Sequence, residues 1–568
     1  MNFLKKSILL SLLFFSLYSY GQEKFTISGT VRDSANGESI IGASVWVTEL
    51  STGAATNTYG FYSLTLPAGK YTITLNFIGH QAKKFEINLT QNIKLNAELS
   101  EQGVQLVAVE VAGEKENKNV SSTTMSVNKL DMVQVKALPV LFGETDILKT
   151  LSLLPGIMTV GEGNTGFYVR GGGADQNLIL LDEATVYNAS HLLGFFSIFN
   201  ADAIKDVTIY KGGIPAEYGG RLSSVLDVHM NDGNSKRLSV KGGIGLISSR
   251  LTVEGPIVKG RGSFILSGRR TYADFIFKPL APNANARNSS LYFYDFNVKA
   301  NYRLNDKNRL FLSGYFGRDV FNNAGRFGIN WGNATGTLRW NHIFNDKLFA
   351  NTSFIVNNYS YLINITSGAR DFSITSSIHD YSLKSQFEYY LTQKSTLKFG
   401  LSSIYHAFTP GTIATNGVKV INDRTIEDRY GWENAVYLDD EYNLTSRLLV
   451  NAGLRFSSFF LMGPGKTFAF DSTGAVTDTT SYSHTTIIKP YYNLEPRVSA
   501  RYELTDESSL KASYTRTTQY VQLLSNTTTS SPTDLWISST NNIKPQIGDQ
   551  YATGYFRNFR NNMIETSV

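Results

Sequence analysis

Ser223, Ser224, Asp227 and His229 lie close together in the chain, and they are a hydroxyl, a carboxylate and an imidazole of the kinds nucleophilic catalysis uses. No nucleophile elbow surrounds them, and the simple alternation of a strand explains their order better. Asp439, Asp440 and Glu441 supply three consecutive carboxylates, enough to suggest a calcium site. Their setting, YLDDEYNLT, reads instead as a strand running into a turn. His342, His379, His406 and His484 have no metal-ligand spacing with one another, and His80 is the only histidine before His191. Cysteine is absent, which removes any thiol nucleophile, thiolate metal site or lipid-modified N-terminal cysteine. The residues therefore name no catalytic group, no metal and no cofactor.

The formal charge of +6 over 568 residues is small, and no basic cluster interleaved with aromatics points to nucleic acid. Lys5-Lys6, the apolar run Ile8 to Leu17 and the small-residue site Ser19-Tyr20-Gly21 read as a secretory signal peptide covering residues 1–21. That apolar core falls short of the ~20 residues that cross a bilayer as a helix. No later stretch is long and apolar enough either, so any membrane-spanning part must be a β-barrel.

Four segments follow the signal peptide. Residues 22–99 show short alternating strands punctuated by Asn36-Gly37, Thr52-Gly53, Tyr59-Gly60 and Pro67-Ala68-Gly69, the pattern of a small β-sandwich. Residues 100–130 are polar and charged around one β-prone run, Leu106-Val107-Ala108-Val109-Glu110-Val111, which leads into Ala112 and Gly113. That run is either the last strand of the sandwich or an extended peptide on a flexible leash. Residues 131–234 are glycine-dense and mixed, with an amphipathic helix starting near Gly143 and stopping at Pro155. GxGxxG-like spacings occur there without the βαβ unit that a dinucleotide site needs.

The texture changes after about residue 235, and 49 of the 71 aromatic residues follow Arg250. Leu448, Val450, Ala452, Leu454 and Phe456 alternate with Leu449, Asn451, Gly453, Arg455 and Ser457, an apolar face and a mostly polar one, as lipid-facing and lumen-facing sides of a barrel strand require. Short polar turns near residues 259, 305, 345, 392, 444, 505 and 560 are separated by longer segments near 271–290, 317–332, 408–430, 462–490 and 521–547. Short periplasmic turns and long outer loops are the expected barrel asymmetry. About 14 strands fit between them, with the start of another at Met563 to Val568. The fold class is thus mainly β: sandwich, mixed α/β plug and antiparallel transmembrane barrel.

The runs YVRGGG (Tyr168 to Gly173), Leu180-Leu181-Asp182 and IYKGGIPAEYGGRLSSVLDV (Ile209 to Val228) keep one order across the third segment, which resembles the plug of TonB-dependent outer-membrane receptors. GTVRDSANGESIIGASVWV followed by TNTYGFYSLTLPAGKYTI resembles the carboxypeptidase-regulatory-like domain that precedes such plugs in Bacteroidetes receptors. The resemblance implies an importer in the cell outer membrane, with its N-terminal domain in the periplasm. A scarce extracellular ligand would bind loops and plug, and TonB with its inner-membrane energising complex would pull the plug using the proton gradient. It also implies that Leu106, Val107, Ala108, Val109, Glu110, Val111, Ala112 and Gly113 are the TonB contact, gripped by strand addition. An outer-membrane signalling or adhesion receptor without transport is the alternative. The plug ending YKGGIPAEYGGRLSSVLDV departs from the SusC-type pattern LKD-x-SAAAIYGSRAANGVI, which speaks against a SusD-like lipoprotein lid and a glycan substrate.

Arg170 and Arg221 belong to the plug motifs and would lie inside a barrel wall, where a guanidinium needs carboxylate partners. Glu433, Glu441 and Glu495 are the expected partners on barrel strands, unless the arginines cap local carbonyls. Barrels that hold a folded plug have about 22 strands. The count of about 14 predicts a wall short of its family by about eight strands and open between Ser239 and Tyr551 if the plug is kept.

Overall fold

The computed structural model describes residues 23–101, 118–130, 132–138, 144–159, 166–367, 370–417, 424–525, 530–560 and 564–568. The expected signal segment, residues 1–21, and the expected TonB contact, Leu106 to Gly113, lie outside the described residues. The chain divides into two compact units, one built from the segment before residue 115 and one from the rest, with Ser34–Glu38 grouped in the second.

The first unit is the expected sandwich. Lys24–Asp33 pairs with Phe61–Pro67, Ile93–Lys94 and Ala97–Leu99, while Thr52–Ala55, Ser44–Val47, Gly69–Asn76 and Lys83–Leu89 form the second sheet in that order. Alternate residues such as Val45 and Val47 point inward and join Ile27, Val31, Leu66, Ile73 and Leu75 in one core, as a period of two demands.

In the second unit a five-stranded mixed sheet runs Ala184–Thr185, Asn177–Leu181, Ser224–Met230, Ile204–Tyr210, Val127–Leu130. Only the pairing of Asn177–Leu181 with Ser224–Met230 is parallel. Val127–Leu130 is an edge strand of this sheet, so the plug begins earlier than residue 131, the boundary drawn from composition. Asp146 caps the helix Ile147–Leu151 by accepting from the Lys149 amide at 3.0 Å, a standard N-terminal satisfaction of free N–H groups. Ile147, Leu151, Val207, Ile209, Leu226 and Val228 close the core beneath it.

A single antiparallel sheet then runs from Ser239–Ile244 to Ile564–Ser567 through fifteen consecutively paired strands, with a sixteenth, Arg424–Thr425, beside Ser395–Gly417. Among the described residues those two terminal strands are not paired with each other. On Ser290–Asn305, Asp295, Asn297, Lys299 and Asn301 are buried while Phe296 and Val298 are exposed. Polar-in and apolar-out is the inversion a lipid-facing wall requires. Six of the seven short turns fall where expected, and the seventh, after Arg560, lies mostly outside the described residues. The long segments differ: 317–332 is almost wholly strand, split only by a tight turn after Asn323, and 462–490 and 521–547 each carry a hairpin of their own, Gly465–Phe470 with Val476–Tyr482 and Val521–Leu524 with Leu535–Ser538. Strands of up to 23 residues exceed the ~10 that cross a bilayer. Continued pairing beyond it keeps satisfying backbone groups that a loop would leave to water.

Candidate functional site: the interface between plug and wall

The plug sits inside the curve of the wall with a defined polarity. Asn119 Nδ2 donates to Asn558 Oδ1 at 2.8 Å and Lys511 Nζ to the Thr124 carbonyl at 3.2 Å, so the chain enters the plug at the end of the wall that carries the short turns. At the opposite end the hairpin Val521–Leu524 and Leu535–Ser538 folds inward onto the plug. Its Leu523 amide and the nearby Gln519 side chain donate to Asp175 at 3.1 and 3.0 Å. Trp536 packs edge-on against Tyr187, with ring centroids 4.9 Å apart.

One cluster of ionic contacts comes from a strained turn. Leu181 and Ala184 pair directly across Asp182 and Glu183, whose φ angles are +47° and +73°. Two positive φ values in a two-residue connection are the geometry of a type I′ turn, and outside glycine and asparagine each costs of order 1–3 kcal/mol. The turn presents both carboxylates to the wall. Lys299 Nζ lies 3.1 Å from Asp182 and 3.0 Å from Asp232, and Arg339 Nε lies 3.1 Å from Glu183. Asn351 Nδ2 donates to Glu183 Oε1 at 2.7 Å, and Lys384 Nζ to the Glu183 carbonyl at 3.2 Å. Burial opposes ionisation of Asp182, but Lys299, Arg339 and His229 outweigh it and hold its pKa below the usual carboxylate value.

A second cluster is centred on plug residue His191, which is fully buried. Its Nδ1 lies 2.7 Å from Asp319 and its Nε2 3.2 Å from Asp295, both on the wall. The ring stacks on Phe293 at 4.1 Å. Arg269 binds Asp295 at 2.6 Å, reaches Glu144 of the plug at 3.4 Å and donates to the Ser197 carbonyl at 2.8 Å. Burial lowers the His191 pKa, yet the two aspartates outweigh it and hold the group above its ordinary value.

Two arginines enter the interface from the wall. Arg455 Nη1 donates to the carbonyls of Ala216 and Glu217 at 3.2 and 3.3 Å. Arg497 Nη1 donates to the Ile214 carbonyl at 3.2 Å and also to that of Pro215. Glu495, wholly buried, holds Arg497 at 3.0 Å and accepts from Ser457 at 2.6 Å. Glu433 lies 3.8 Å from His406. The expected pairing of Arg170 and Arg221 with Glu433, Glu441 and Glu495 is therefore corrected. Arg170 is exposed in a turn with φ +51° and donates to Ser126. Arg221 donates to the Gly220 carbonyl at 2.8 Å and to that of Val521 at 3.4 Å, under the Trp536 ring at 5.4 Å. Glu441 is exposed on Arg429–Asn443. The physical reason is that each arginine finds neutral acceptors closer at hand, Arg170 the Ser126 hydroxyl within the plug and Arg221 carbonyls of its own turn and of the inward hairpin, leaving the buried carboxylates to wall cations.

Asp182 was legible only as the end of LLD, and His191 not at all. Lys299, Arg339, Asp295 and Asp319 carried one signal, namely charge on the lumen phase of a strand. Ser224, Asp227 and His229 fall on the plug strand Ser224–Met230, with His229 3.2 Å from Asp227. Among the described residues no group of three or more His, Asp or Glu is arranged to hold a metal.

Comparison with known proteins accounts for this arrangement of sandwich, plug and wall. A CarboxypepD_reg-like domain profile matches residues 27–111, and the TonB-dependent Receptor Plug Domain profile matches residues 119–224. TonB-dependent receptor SusC of Bacteroides thetaiotaomicron is 25% identical over 235 residues, a match covering 39% of this chain and 22% of SusC. The chain thus aligns with about a fifth of that curated relative's length. Among solved structures, the copper transporter OprC superposes with a TM-score of 0.57 at 12% identity, covering 77% of this chain and 71% of OprC. The siderophore receptor PirA of Pseudomonas aeruginosa gives 0.52 at 14%, covering 77% and 72%. At such identities these two establish the fold alone. The TonB dependent receptor-like β-barrel profile matches residues 262–568, more than half of the chain, and the protein belongs to that family of outer-membrane receptors.

Proposed function

We propose that the protein imports a ligand across the outer membrane, with the plug as its gate, TonB as its partner and the inner-membrane proton gradient as its energy source. The observation that carries this reading is a folded plug tied to the wall by buried charge pairs. Such a plug closes a lumen until work is done on it, and the outer membrane offers neither nucleotide nor ion gradient to do that work. The plug's chain entry at the short-turn end supports a tether on the periplasmic side, where the first unit would also reside.

Leu106 to Gly113 is the segment we assign to TonB. In strand addition the main chain supplies the affinity, so proline at Val109 removes a donor and weakens the contact. A peptide of residues 100–118 is titrated against the periplasmic domain of TonB, beside its Val109→Pro form. Tight binding by the first and loss by the second is expected, and equal binding overturns the assignment. In cells, receptor-dependent depletion of a medium component should vanish on deletion of residues 106–113 or on adding a protonophore. Depletion that survives both would refute active import.

A further inference from the structure

The wall groups facing the plug's strained turn form a socket built for carboxylates. Its donors come from four strands of the sheet, and every one is a cation or a neutral hydrogen-bond donor. Lys299 lies on Ser290–Asn305, Thr337 and Arg339 on Phe327–Ile343, Asn351 on Leu348–Ser367 and Lys384 on Arg370–Thr392. The register brings them together. Lys299 is separated from Thr337 by a single strand, through Ser313, and Arg339 from Lys384 likewise, through Ser353. The residues interposed are hydroxyls, not carboxylates.

Three anionic groups already occupy this socket, Asp182, Glu183 and, 3.0 Å from Lys299, Asp232, and all belong to the chain itself; the first two come from the strained turn. Asp182 takes Lys299 at 3.1 Å, with Thr337 Oγ1 donating to its carbonyl at 3.2 Å. Glu183 takes Arg339 at 3.1 Å and Asn351 at 2.7 Å. Lys299, Arg339 and Asn351 are each buried to 97% or more. To bring its carboxylates there the plug adopts positive φ at two consecutive non-glycine residues, a backbone cost that the ionic contacts offset. A plug that needed only to plug could close this turn with glycine and bury apolar side chains, which are often at least as stabilising as a buried ion pair.

We infer that Asp182 and Glu183 stand in for an anionic ligand. On this inference the turn lifts when the plug yields, and Lys299, Arg339, Asn351 and Lys384 then receive a ligand bearing adjacent carboxylate or phosphate groups. Rings of lysine and arginine are how pores select anions, and a low-dielectric lumen strengthens their field. The plug thus keeps the cations occupied until it yields, and the ligand replaces it charge for charge. This rests on the import reading but adds the chemical class of what is imported.

The test uses citrate as the probe and purified full-length receptor without TonB or energy, so that it does not depend on transport. Asp182→Asn/Glu183→Gln neutralises the stand-in while leaving the wall intact. Titration calorimetry should show citrate binding to this variant at least tenfold tighter than to the unaltered receptor, with the gain lost when Arg339→Gln and Lys384→Gln are added. Equal citrate affinity in the variant and the unaltered receptor overturns the inference and leaves the import reading standing. Should the variant not fold, the unaltered receptor decides the matter in a planar bilayer with a KCl gradient and its plug loosened by urea. A reversal potential on the chloride side is expected, and one on the potassium side overturns the proposal.

Discussion

Lys299→Met removes one charge and keeps most of the side chain's length and volume, which isolates the electrostatic role of this buried lysine. Its ammonium is 3.0 Å from Asp232, 3.1 Å from Asp182 and 2.8 Å from the Met230 carbonyl. Without it two buried carboxylates lose their nearest cation, and the ones that remain are farther off, Arg309 at 3.6 Å and Lys205 at 3.7 Å from Asp232. Removing one partner of a buried pair costs up to about 3–5 kcal/mol, the upper figure applying where the remaining charge keeps no other partner. At 1.4 kcal/mol per factor of ten, that raises the population of loosened plug by about 150- to 4,000-fold. The absence of cysteine supplies the assay. A single cysteine replacing Ser267, a wall residue covered by Asn200 of the plug at 2.8 Å, is the only thiol in the protein. Its modification by an impermeant maleimide follows the open population when opening is fast. The Lys299→Met background should accelerate modification by two to three orders of magnitude, by the same estimate. Adding Asp182→Asn should recover part of the loss, since one stranded charge is then gone. Acceleration of less than tenfold would refute the reasoning, because it would mean that Arg339 and His229 near Asp182, and Lys205 and Arg309 near Asp232, suffice without Lys299.

Three further outcomes are expected. His191 is held above its ordinary value of 6.5, so the stability it lends the docked plug is fully present below about 6.5 and is lost as pH rises through its folded value. The same thiol assay should show faster modification in alkali, and His191→Gln should flatten that dependence; an unchanged profile would exclude His191 as its source. Trp536→Ala removes an aromatic pair with Tyr187 and the ring above Arg221, together about 1–2 kcal/mol, and should speed protease cleavage near Leu535 about tenfold. Leu226→Ala hollows the plug core at a fully buried site and should destabilise the plug by about 2–5 kcal/mol, read by hydrogen exchange along Ser224–Met230.

The elements whose pattern is local were legible from the residues. A period of two exposed the sandwich and the wall, and the polar turns located the hairpin ends, because both depend on neighbours in sequence. The inward faces were readable in kind but not in partnership. Asp295, Lys299 and Arg339 announce themselves as polar residues on the lumen phase, yet their partners Asp182, Glu183 and His191 lie more than 100 residues away in sequence, and only the docked plug brings them together. Arg170 and Arg221 misled for the same reason. Their charge suggested distant carboxylates, whereas turns with positive φ supplied nearer acceptors. The loop lengths misled through register: paired strands run well past the membrane, which composition alone does not reveal.

The placement of Val127–Leu130 has a mechanical consequence. This edge strand is the first member of the plug sheet that a tether leaving at residue 118 would load, and it is held by only four residue pairs, from Val127 with Tyr210 to Leu130 with Val207. A pull across the sheet unzips those pairs singly, starting at Tyr210; a pull along the strand shears all four together. Either way the parallel pair Asn177–Leu181 and Ser224–Met230, deeper in the sheet, is shielded until Val127–Leu130 and then Ile204–Tyr210 have parted. The Asp182 and Glu183 turn extends from that inner pair, so its contacts with Lys299 and Arg339 should be among the last to feel tension. Drawn from residue 118 in a force spectrometer, the plug should yield in steps, a short low-force release of the edge preceding the main event. A single rupture of the whole sheet would contradict this order.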